Sequence, residues 1–252
     1  MLIGCATVPI TGRRQLSIVS RSEILSISAE NYNELISKAV ISKDEKDKAL
    51  VTAVGKRIAK AAELFLTDNG LSDEIQDYNW EFNVIDDDET INAACLPGGK
   101  IVVYSGIIPV AENEEGLAVV LGHEVAHAIA KHGAERVSQQ IMLEYGREKL
   151  SQVLAEKSQK TQDIIIKSFG LGTSLGVLMP YSRLHEREAD RIGLILMARA
   201  GYDPRSAVPF WERMQKLGGG EIPEFLSTHP ATQNRIDTIE SLLPEALEYY
   251  SD

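Results

Sequence analysis

Residues 121–132 read LGHEVAHAIAKH and hold three of the five histidines in the 252-residue chain. Most other residues of this segment are apolar, so we predict a buried helix. Residues four positions apart on a helix differ by about 40° around its axis, so His123 and His127 can bind one metal ion. Glu124 lies about 100° from His123 and can instead reach a water molecule at that metal. This H-E-x-x-H pattern predicts two zinc ligands and a general base.

The third zinc ligand is predicted to come from a second helix rather than from His132. If the first helix continues, His132 lies about 140° from His127, so we expect it to cap the helix or pack behind the site. Glu186 and Asp190 share one face of a predicted downstream helix, and Glu188 is expected to point away from that face. Glu186 is the candidate ligand, and Asp190 is placed to accept a hydrogen bond from a liganding histidine. The alternative is that these acidic residues form a solvated face.

The chain is predicted to have an α+β fold that is mostly helical, with one small sheet. Apolar residues recur at helical spacing over most of the chain, and β-rich alternation is confined to a short stretch before the histidine motif. The predicted helices cover 21–40, 44–66, 114–131, 135–167, 183–200, 205–217 and 231–247, and the predicted strands cover 78–85, 90–95 and 100–104.

Residues 21–252 are predicted to form a single domain, because no internal repeat divides them. Residues 1–20 are predicted to be a tether, since Pro, Gly and Ser occur there without a clear period. Residues 164–180 are apolar but fall short of the roughly 20 apolar residues that a membrane helix needs. Lys167 and three glycines interrupt them, so we expect a buried helix or loop there.

The net charge and the position of the cysteines indicate which kinds of partner the chain can bind. The formal net charge of −11 and the pI of about 5.0 argue against binding nucleic acid or an anionic lipid surface. Cys95 is predicted to be a small buried residue. Cys5 ends the run LIGC, which resembles the lipobox of bacterial lipoproteins and predicts membrane association through a lipid anchor at Cys5. The alternative is a chance match at an ordinary cytosolic N-terminus.

The segments HEVAH (123–127) and EREAD (186–190) together resemble the HtpX/CAAX-prenyl-protease family of gluzincin zinc metallopeptidases. The resemblance implies a zincin-like metallopeptidase fold with one Zn²⁺ per chain, in which a small antiparallel or mixed sheet packs on the helix that carries the histidines. Three other segments resemble the family pattern, namely NAACLPGG (92–99), YSR (181–183) and STHP (227–230) with Arg235 beyond it. Within the first of these segments, Ala94 and Cys95 stand where the family commonly has Phe and Ala, so the chain departs from the family pattern at these two positions.

The resemblance also implies roles for residues outside the zinc ligands. His229 is expected to be a catalytic residue beside Glu124 and to donate a hydrogen bond to the oxyanion that forms on the substrate. A peptide is expected to lie extended along the strand at 100–104. The candidate substrate-binding residues are Asn92, Ala93, Gly99, Lys100 and Ile101.

The family implies a zinc-dependent endopeptidase acting on extended or misfolded cell-envelope proteins, so polypeptides are the expected partners. Because the chain shows no membrane-spanning pattern, we expect the family's soluble periplasmic branch of BepA- and LoiP-like lipoproteins, anchored at the bacterial outer membrane. One alternative is a chaperone-like binding protein with a zinc site and little proteolytic activity. Another is a zinc-dependent hydrolase of a non-peptide bond.

Overall fold

A computed structural model describes residues 5–8, 11–143, 181–218 and 223–251 of the chain. Helices dominate this part and two small sheets accompany them, which confirms the predicted mostly helical α+β fold. The helices are α1 (Arg21–Lys38), α2 (Glu45–Asp68), α3 (Ile108–Ala111), α4 (Glu114–Ile129), α5 (132–143), α6 (Arg183–Arg199), α7 (Ala207–Leu217), α8 (Glu224–Thr228) and α9 (Gln233–Leu247). The strands are β1 (Cys5–Thr7), β2 (Arg14–Leu16), β3 (Glu81–Ile85), β4 (Ala93–Leu96) and β5 (Lys100–Tyr104).

Side-chain caps set where the two central helices begin. The Asn113 side chain accepts a hydrogen bond from the Gly116 N–H at the start of α4. The Ser182 side chain accepts one from the His185 N–H at the start of α6. Such caps are each worth about 1 kcal/mol of helix stability. They also fix the starting point of each helix, and therefore which of its residues face the partner helix.

Helices α4 and α6 pack closely enough for their backbones to touch. A Cβ atom added at Gly122 would lie 2.9 Å from the Gly193 carbonyl oxygen, and one added at Gly193 would lie 3.0 Å from the Gly122 carbonyl carbon. Leu117, Leu121 and Ile195 are fully or almost fully buried around this contact. The close approach brings His123 on α4, the residue next to Gly122, up to the carboxylates of α6.

The larger sheet is mixed and lies against α4 through β4. Its strand order is β3-β5-β4, with β3 parallel and β4 antiparallel to β5. The prediction that a peptide pairs along 100–104 is therefore wrong, because β5 already has a partner on both sides. Among the described residues, β4 has a free edge, and β4 also contacts α4.

The N-terminal segment that was predicted to be a tether contains ordered structure in its described part. Strands β1 and β2 form an antiparallel hairpin, in which Cys5 pairs with Leu16. Val8 and Val19 are buried, and Arg13 forms ion pairs with Glu135 on α5 and Glu188 on α6. Sequence alone missed this because hairpins this short carry no usable periodicity.

The helix that carries the histidine motif ends earlier than predicted. Lys131 adopts a φ of 59°, which breaks the helix after Ile129, and α5 begins at His132 in a new direction. The predicted helix over 135–167 is described as far as residue 143. Its remainder, like the apolar stretch at 164–180, lies outside the described residues.

None of the helices in the described part of the chain combines the length and apolar character that crossing a bilayer requires.

The contact between α4 and α6 predicts a clear cost for a single methyl group. Gly193→Ala should lower the free energy of unfolding by about 1–3 kcal/mol, because the added Cβ meets rigid backbone rather than a flexible side chain. Gly218→Ala is a suitable control, because its Cβ would meet chiefly the end of the Leu226 side chain, at 3.2 Å. Chemical denaturation measures both variants. Equal stability of Gly193→Ala and the wild type would contradict the backbone contact.

Candidate metal centre

Four buried side chains from separate parts of the chain converge on one point. His123 and His127 come from α4, Glu186 from the first turn of α6, and His229 follows α8. The Nε2 atoms of His123 and His127 lie 3.1 Å apart. The Nδ1 atom of His229 lies 3.1 Å from His123 Nε2 and 2.9 Å from Glu186 Oε1. The four candidate ligand atoms all lie within 4.8 Å of one another.

This arrangement fits a zinc ion. Zinc binds nitrogen and oxygen at about 2.0–2.1 Å, so neighbouring ligand atoms of a zinc tetrahedron lie about 3.3 Å apart. Several separations are close to this value: 3.1 Å between His123 and His127, 3.3 Å between His127 and Glu186, and 3.5 Å between His123 and Glu186. With the described residues, Glu186 Oε2 makes no well-formed hydrogen bond although Arg235 Nη1 lies 2.8 Å away, so this buried oxygen retains capacity to bind a cation.

Glu124 lies beside the four ligand atoms without belonging to them. Its side chain is buried, and its Oε1 atom has no hydrogen-bond partner in the part of the chain that the structure describes. Burial raises the pKa of the Glu124 carboxyl, and the neighbouring His229 and His123 only partly oppose that effect. A carboxylate with a raised pKa is better suited to accept a proton from water at neutral pH.

His229 was expected to donate a hydrogen bond to the oxyanion of the substrate. In the structure it lies among the candidate metal ligands themselves. Its Nδ1 atom takes the fourth corner of the ligand set, and its Nε2 atom lies 3.5 Å from Glu124 Oε1. Sequence alone could not place His229 here, because its position depends on how α8 packs against α4. The predicted oxyanion role stays a prediction.

Asp190 lies where it was predicted to orient a liganding histidine. Its Oδ1 atom is 3.0 Å from His123 Nδ1, so His123 can donate that proton and keep Nε2 free for a metal. Arg235 donates two hydrogen bonds to the same carboxylate, at 2.7 and 2.9 Å. Burial would raise the pKa of Asp190, but Arg235 and His123 outweigh it and lower the pKa below its ordinary value.

Arg235 entered the sequence argument only through a motif, and its position explains its importance. It is buried, with its guanidinium 3.5 Å from the centroid of the Trp211 ring. It bridges Asp190 and Glu186, so one positive charge offsets two buried carboxylates. No helical or strand periodicity distinguishes such an arginine from an exposed one.

His132 lies behind the metal centre, which is one of the two positions expected for it, and Glu188 lies beside it. Because α4 ends at Ile129, the His132 side chain lies next to His127, with 3.0 Å between their Nδ1 atoms. Its Nε2 atom lies 3.3 Å from Glu188 Oε2. Burial lowers the pKa of His132 to about 4, so the ring is neutral at pH 7. Glu188 does point away from the metal face of α6, but it is buried rather than solvated.

Tyr181 is a further residue whose position the sequence did not indicate. Its ring lies 4.0 Å from that of His127 and 5.3 Å from that of His229, centroid to centroid. The segment YSR marked it as part of a motif without assigning it a contact. It covers one side of the two histidines.

Most of the predicted substrate-binding residues have structural contacts instead. Gly99 has a φ of 79° and faces the Trp80 ring, Ile101 is fully buried in the central strand, and Lys100 binds the Asn79 carbonyl at 2.8 Å. The Asn92 side chain is buried and accepts a hydrogen bond from the Ala93 N–H. Ala93 is the first residue of β4, the strand with the free edge, and so remains next to a possible peptide path.

Comparisons with known proteins agree with this geometry. A family model described as Peptidase family M48 matches residues 45–243. The mitochondrial metalloendopeptidase OMA1 of Schizosaccharomyces pombe is 37% identical over 95% of this chain and 66% of its own length. Human mitochondrial metalloendopeptidase OMA1 is 31% identical over 95% of this chain and 46% of its own length. The beta-barrel assembly-enhancing protease of Escherichia coli is 32% identical over 62% of this chain and 33% of its own length. The chain thus spans between about a third and two thirds of these relatives.

The comparisons correct the predicted location. Relatives that match 95% of the chain are mitochondrial proteins, which contradicts the predicted bacterial periplasm and outer membrane. Membership of the periplasmic lipoprotein branch is likewise unsupported, because the bacterial relative matches a smaller part of the chain. The lipid anchor at Cys5 stays a prediction.

The network behind the metal centre predicts a pH-dependent contribution to stability. Burial alone would raise the pKa of Glu188, but hydrogen bonds from His132, Thr11 and Arg13 lower it from 4.5 to about 2. A carboxyl whose pKa is lowered by folding stabilises the native state above its ordinary pKa, and this is lost as the pH falls from 4.5 toward 2. We therefore expect Glu188→Gln to flatten the fall in the free energy of unfolding across this window.

Chemical denaturation at each pH, with a chelator present throughout, measures this effect without a contribution from metal release. Glu89→Gln, at an exposed carboxylate, should follow the wild type. Parallel pH profiles of Glu188→Gln and the wild type would show that the buried network contributes nothing in this range.

Proposed function

Because the chain belongs to peptidase family M48, we propose that it is a zinc metalloendopeptidase. The observation that carries the proposal is the position of Glu124, a buried carboxylate with a raised pKa beside three side chains suited to zinc. A purely structural zinc site has no use for such a group.

In this proposal His123, His127 and Glu186 would hold the zinc ion. The chemistry that zinc would supply there is that of a Lewis acid, which makes a water molecule more acidic and polarises the carbonyl of the peptide bond to be cleaved. Glu124 accepts the proton of the attacking water and later delivers it to the leaving amine. Asp190 accepts the Nδ1 proton of His123 and so keeps that ring in the tautomer that binds metal.

His229 stabilises the oxyanion of the substrate by donating a hydrogen bond. The His229 ring stands at the fourth corner of the ligand set, so it must turn away from Glu186 before substrate and water occupy that position. Its Nε2 atom lies 3.5 Å from Glu124 Oε1, so the ring is next to the proposed general base.

The substrate class follows from the free edge of β4. A peptide that adds to this edge forms backbone hydrogen bonds, which recognise an extended chain rather than a particular sequence. A cleft of about 130 Å³ reaches His127 and Tyr181, and its lining also includes Tyr78 and Cys95 of β4. It can accept one side chain of such a peptide. Extended or unfolded polypeptides are therefore the proposed substrates, and the restriction to cell-envelope proteins is dropped together with the predicted location.

A chaperone-like protein that binds polypeptides without cutting them remains the second candidate. The free edge of β4 would serve binding as well as cleavage. The two candidates differ in what they require of Glu124, since binding an extended chain needs no general base.

Glu124→Gln distinguishes the two candidates. The variant should bind zinc as the wild type does, because Glu124 is not among the ligands, and should lose about 10²–10⁴-fold in kcat, because the amide cannot accept a proton. Zinc content by mass spectrometry and cleavage of an unfolded protein substrate measure the two properties. Glu240→Gln, at an exposed carboxylate on α9, should keep full activity.

Equal cleavage by Glu124→Gln and the wild type would refute the mechanism. Binding of unfolded substrate by the wild-type protein, with no cleavage by either, would favour the chaperone-like function.

A further inference from the structure

Arg13, on the N-terminal hairpin, binds two buried carboxylates that lie behind the metal centre. Its Nη1 and Nη2 atoms donate to Glu135 on α5, at 2.9 and 2.7 Å. Its Nε atom donates to Glu188 Oε2 on α6 at 2.7 Å. Thr11, two residues earlier, donates from its hydroxyl to Glu188 Oε1 at 2.5 Å. Both oxygens of Glu188 are thus held by residues of the N-terminal segment.

Glu188 connects this segment to a candidate metal ligand through one intermediate ring. Glu188 Oε2 lies 3.3 Å from His132 Nε2, and His132 Nδ1 lies 3.0 Å from His127 Nδ1. His127 Nε2 is the atom that faces the other ligands. The path from Arg13 to the metal position therefore runs through three successive hydrogen bonds, all between groups that are buried or nearly so.

The direction of these hydrogen bonds follows from the chemistry of the groups. A carboxylate can only accept, so His132 must carry its proton on Nε2. The Nδ1 atom of a neutral His132 then has no proton and accepts from His127 Nδ1. His127 in turn keeps Nε2 unprotonated, which is the form that binds zinc. If Glu188 moved, His132 could adopt the other tautomer, and the two Nδ1–H groups would then oppose each other.

A second branch holds the same ring from another side. His185 Nε2 lies 3.0 Å from Glu135 Oε2, and the His185 ring stacks on His132 with centroids 4.6 Å apart and planes 21° apart. Arg13 binds both Glu135 and Glu188, so it fixes the hydrogen-bond acceptor of His132 and also the ring stacked against it.

We propose that Arg13 and Thr11 are positioning residues of the metal centre, acting through Glu188 and His132 to hold His127 in the tautomer and orientation that bind zinc. The N-terminal hairpin is then part of the active centre rather than a tether for it. This inference rests on the proposed zinc site, but it concerns metal affinity and not the reaction catalysed. The competing explanation is that Arg13 only fastens the hairpin to α5 and α6.

Zinc affinity of the full chain, measured by competition with a chromophoric chelator, separates the two explanations. His132→Asn should weaken zinc binding by about 10–100-fold, as loss of a group that orients a ligand does in other zinc proteins. Arg13→Gln, one residue further from the metal, should weaken it by about 3–10-fold. Arg14→Gln is the matched control, because Arg14 is the neighbouring arginine and its side chain is exposed, and it should bind zinc as the wild type does.

The combined variant decides whether the effect passes through His132. In a His132→Asn background, Arg13→Gln should cause no further loss of zinc affinity, because residues on one path do not add. Wild-type affinity in Arg13→Gln, or an equal fold-loss with and without His132, would overturn the proposal. If Arg13→Gln does not fold, Thr11→Val removes the other donor to Glu188 and keeps the charge. Thr11→Val must then show a smaller loss that His132→Asn again abolishes, and wild-type affinity in Thr11→Val would overturn the proposal.

The result is independent of whether the protein cleaves peptides. Reduced zinc affinity in Arg13→Gln together with a wild-type protein that cleaves nothing would support the positioning role and refute the peptidase function. Unchanged zinc affinity in Arg13→Gln together with a wild-type protein that cleaves peptides would refute the positioning role and support the peptidase function.

Discussion

The contact between the backbones of α4 and α6 is the constraint on which the rest of the structure depends. Gly122 and Gly193 let the two helices approach until the backbone atoms of one meet those of the other. His123 follows Gly122 directly, and Asp190 lies one turn before Gly193, so the contact sets the 3.0 Å distance between His123 Nδ1 and Asp190 Oδ1. Metal coordination tolerates errors of a few tenths of an ångström, and a rigid backbone contact controls distance to that accuracy better than flexible side chains do.

Burying so many ionisable groups between two helices requires compensation, and it comes from distant parts of the chain. Arg235 on α9 offsets Asp190 and Glu186, and Arg13 on the N-terminal hairpin offsets Glu135 and Glu188. Hydrogen bonds accompany the Arg235–Asp190 pair and both Arg13 pairs, the condition under which a buried ion pair is tolerated. Among the described residues, no arginine lies within ion-pairing distance of Glu124, and burial raises the pKa of its carboxyl. The same lack of compensation makes it the candidate general base.

The two candidate histidine ligands are held by different means. His123 donates to a carboxylate that an arginine fixes, a common arrangement around zinc. His127 donates to a second imidazole, whose own tautomer depends on a carboxylate and on the N-terminal segment. The second path is longer and includes a neutral ring. The orientation of His127 therefore depends on more of the fold than the orientation of His123 does.

The sequence by itself determined the chemistry and the helices that present it. On a helix, the spacing of His123, Glu124 and His127 predicts two metal ligands and a general base. The spacing of Glu186 and Asp190 places two carboxylates on one face of a second helix. Both predictions were possible because helical periodicity is a local property. Only the tertiary structure decided which groups complete the site. Because the helix breaks at Lys131, His132 lies behind His127, and β5 is the central strand of its sheet. Arg13 and Arg235, from opposite ends of the chain, form ion pairs with the carboxylates of α6. Such positions depend on chain direction, strand order and long-range packing, which leave no periodic signal in the residues themselves.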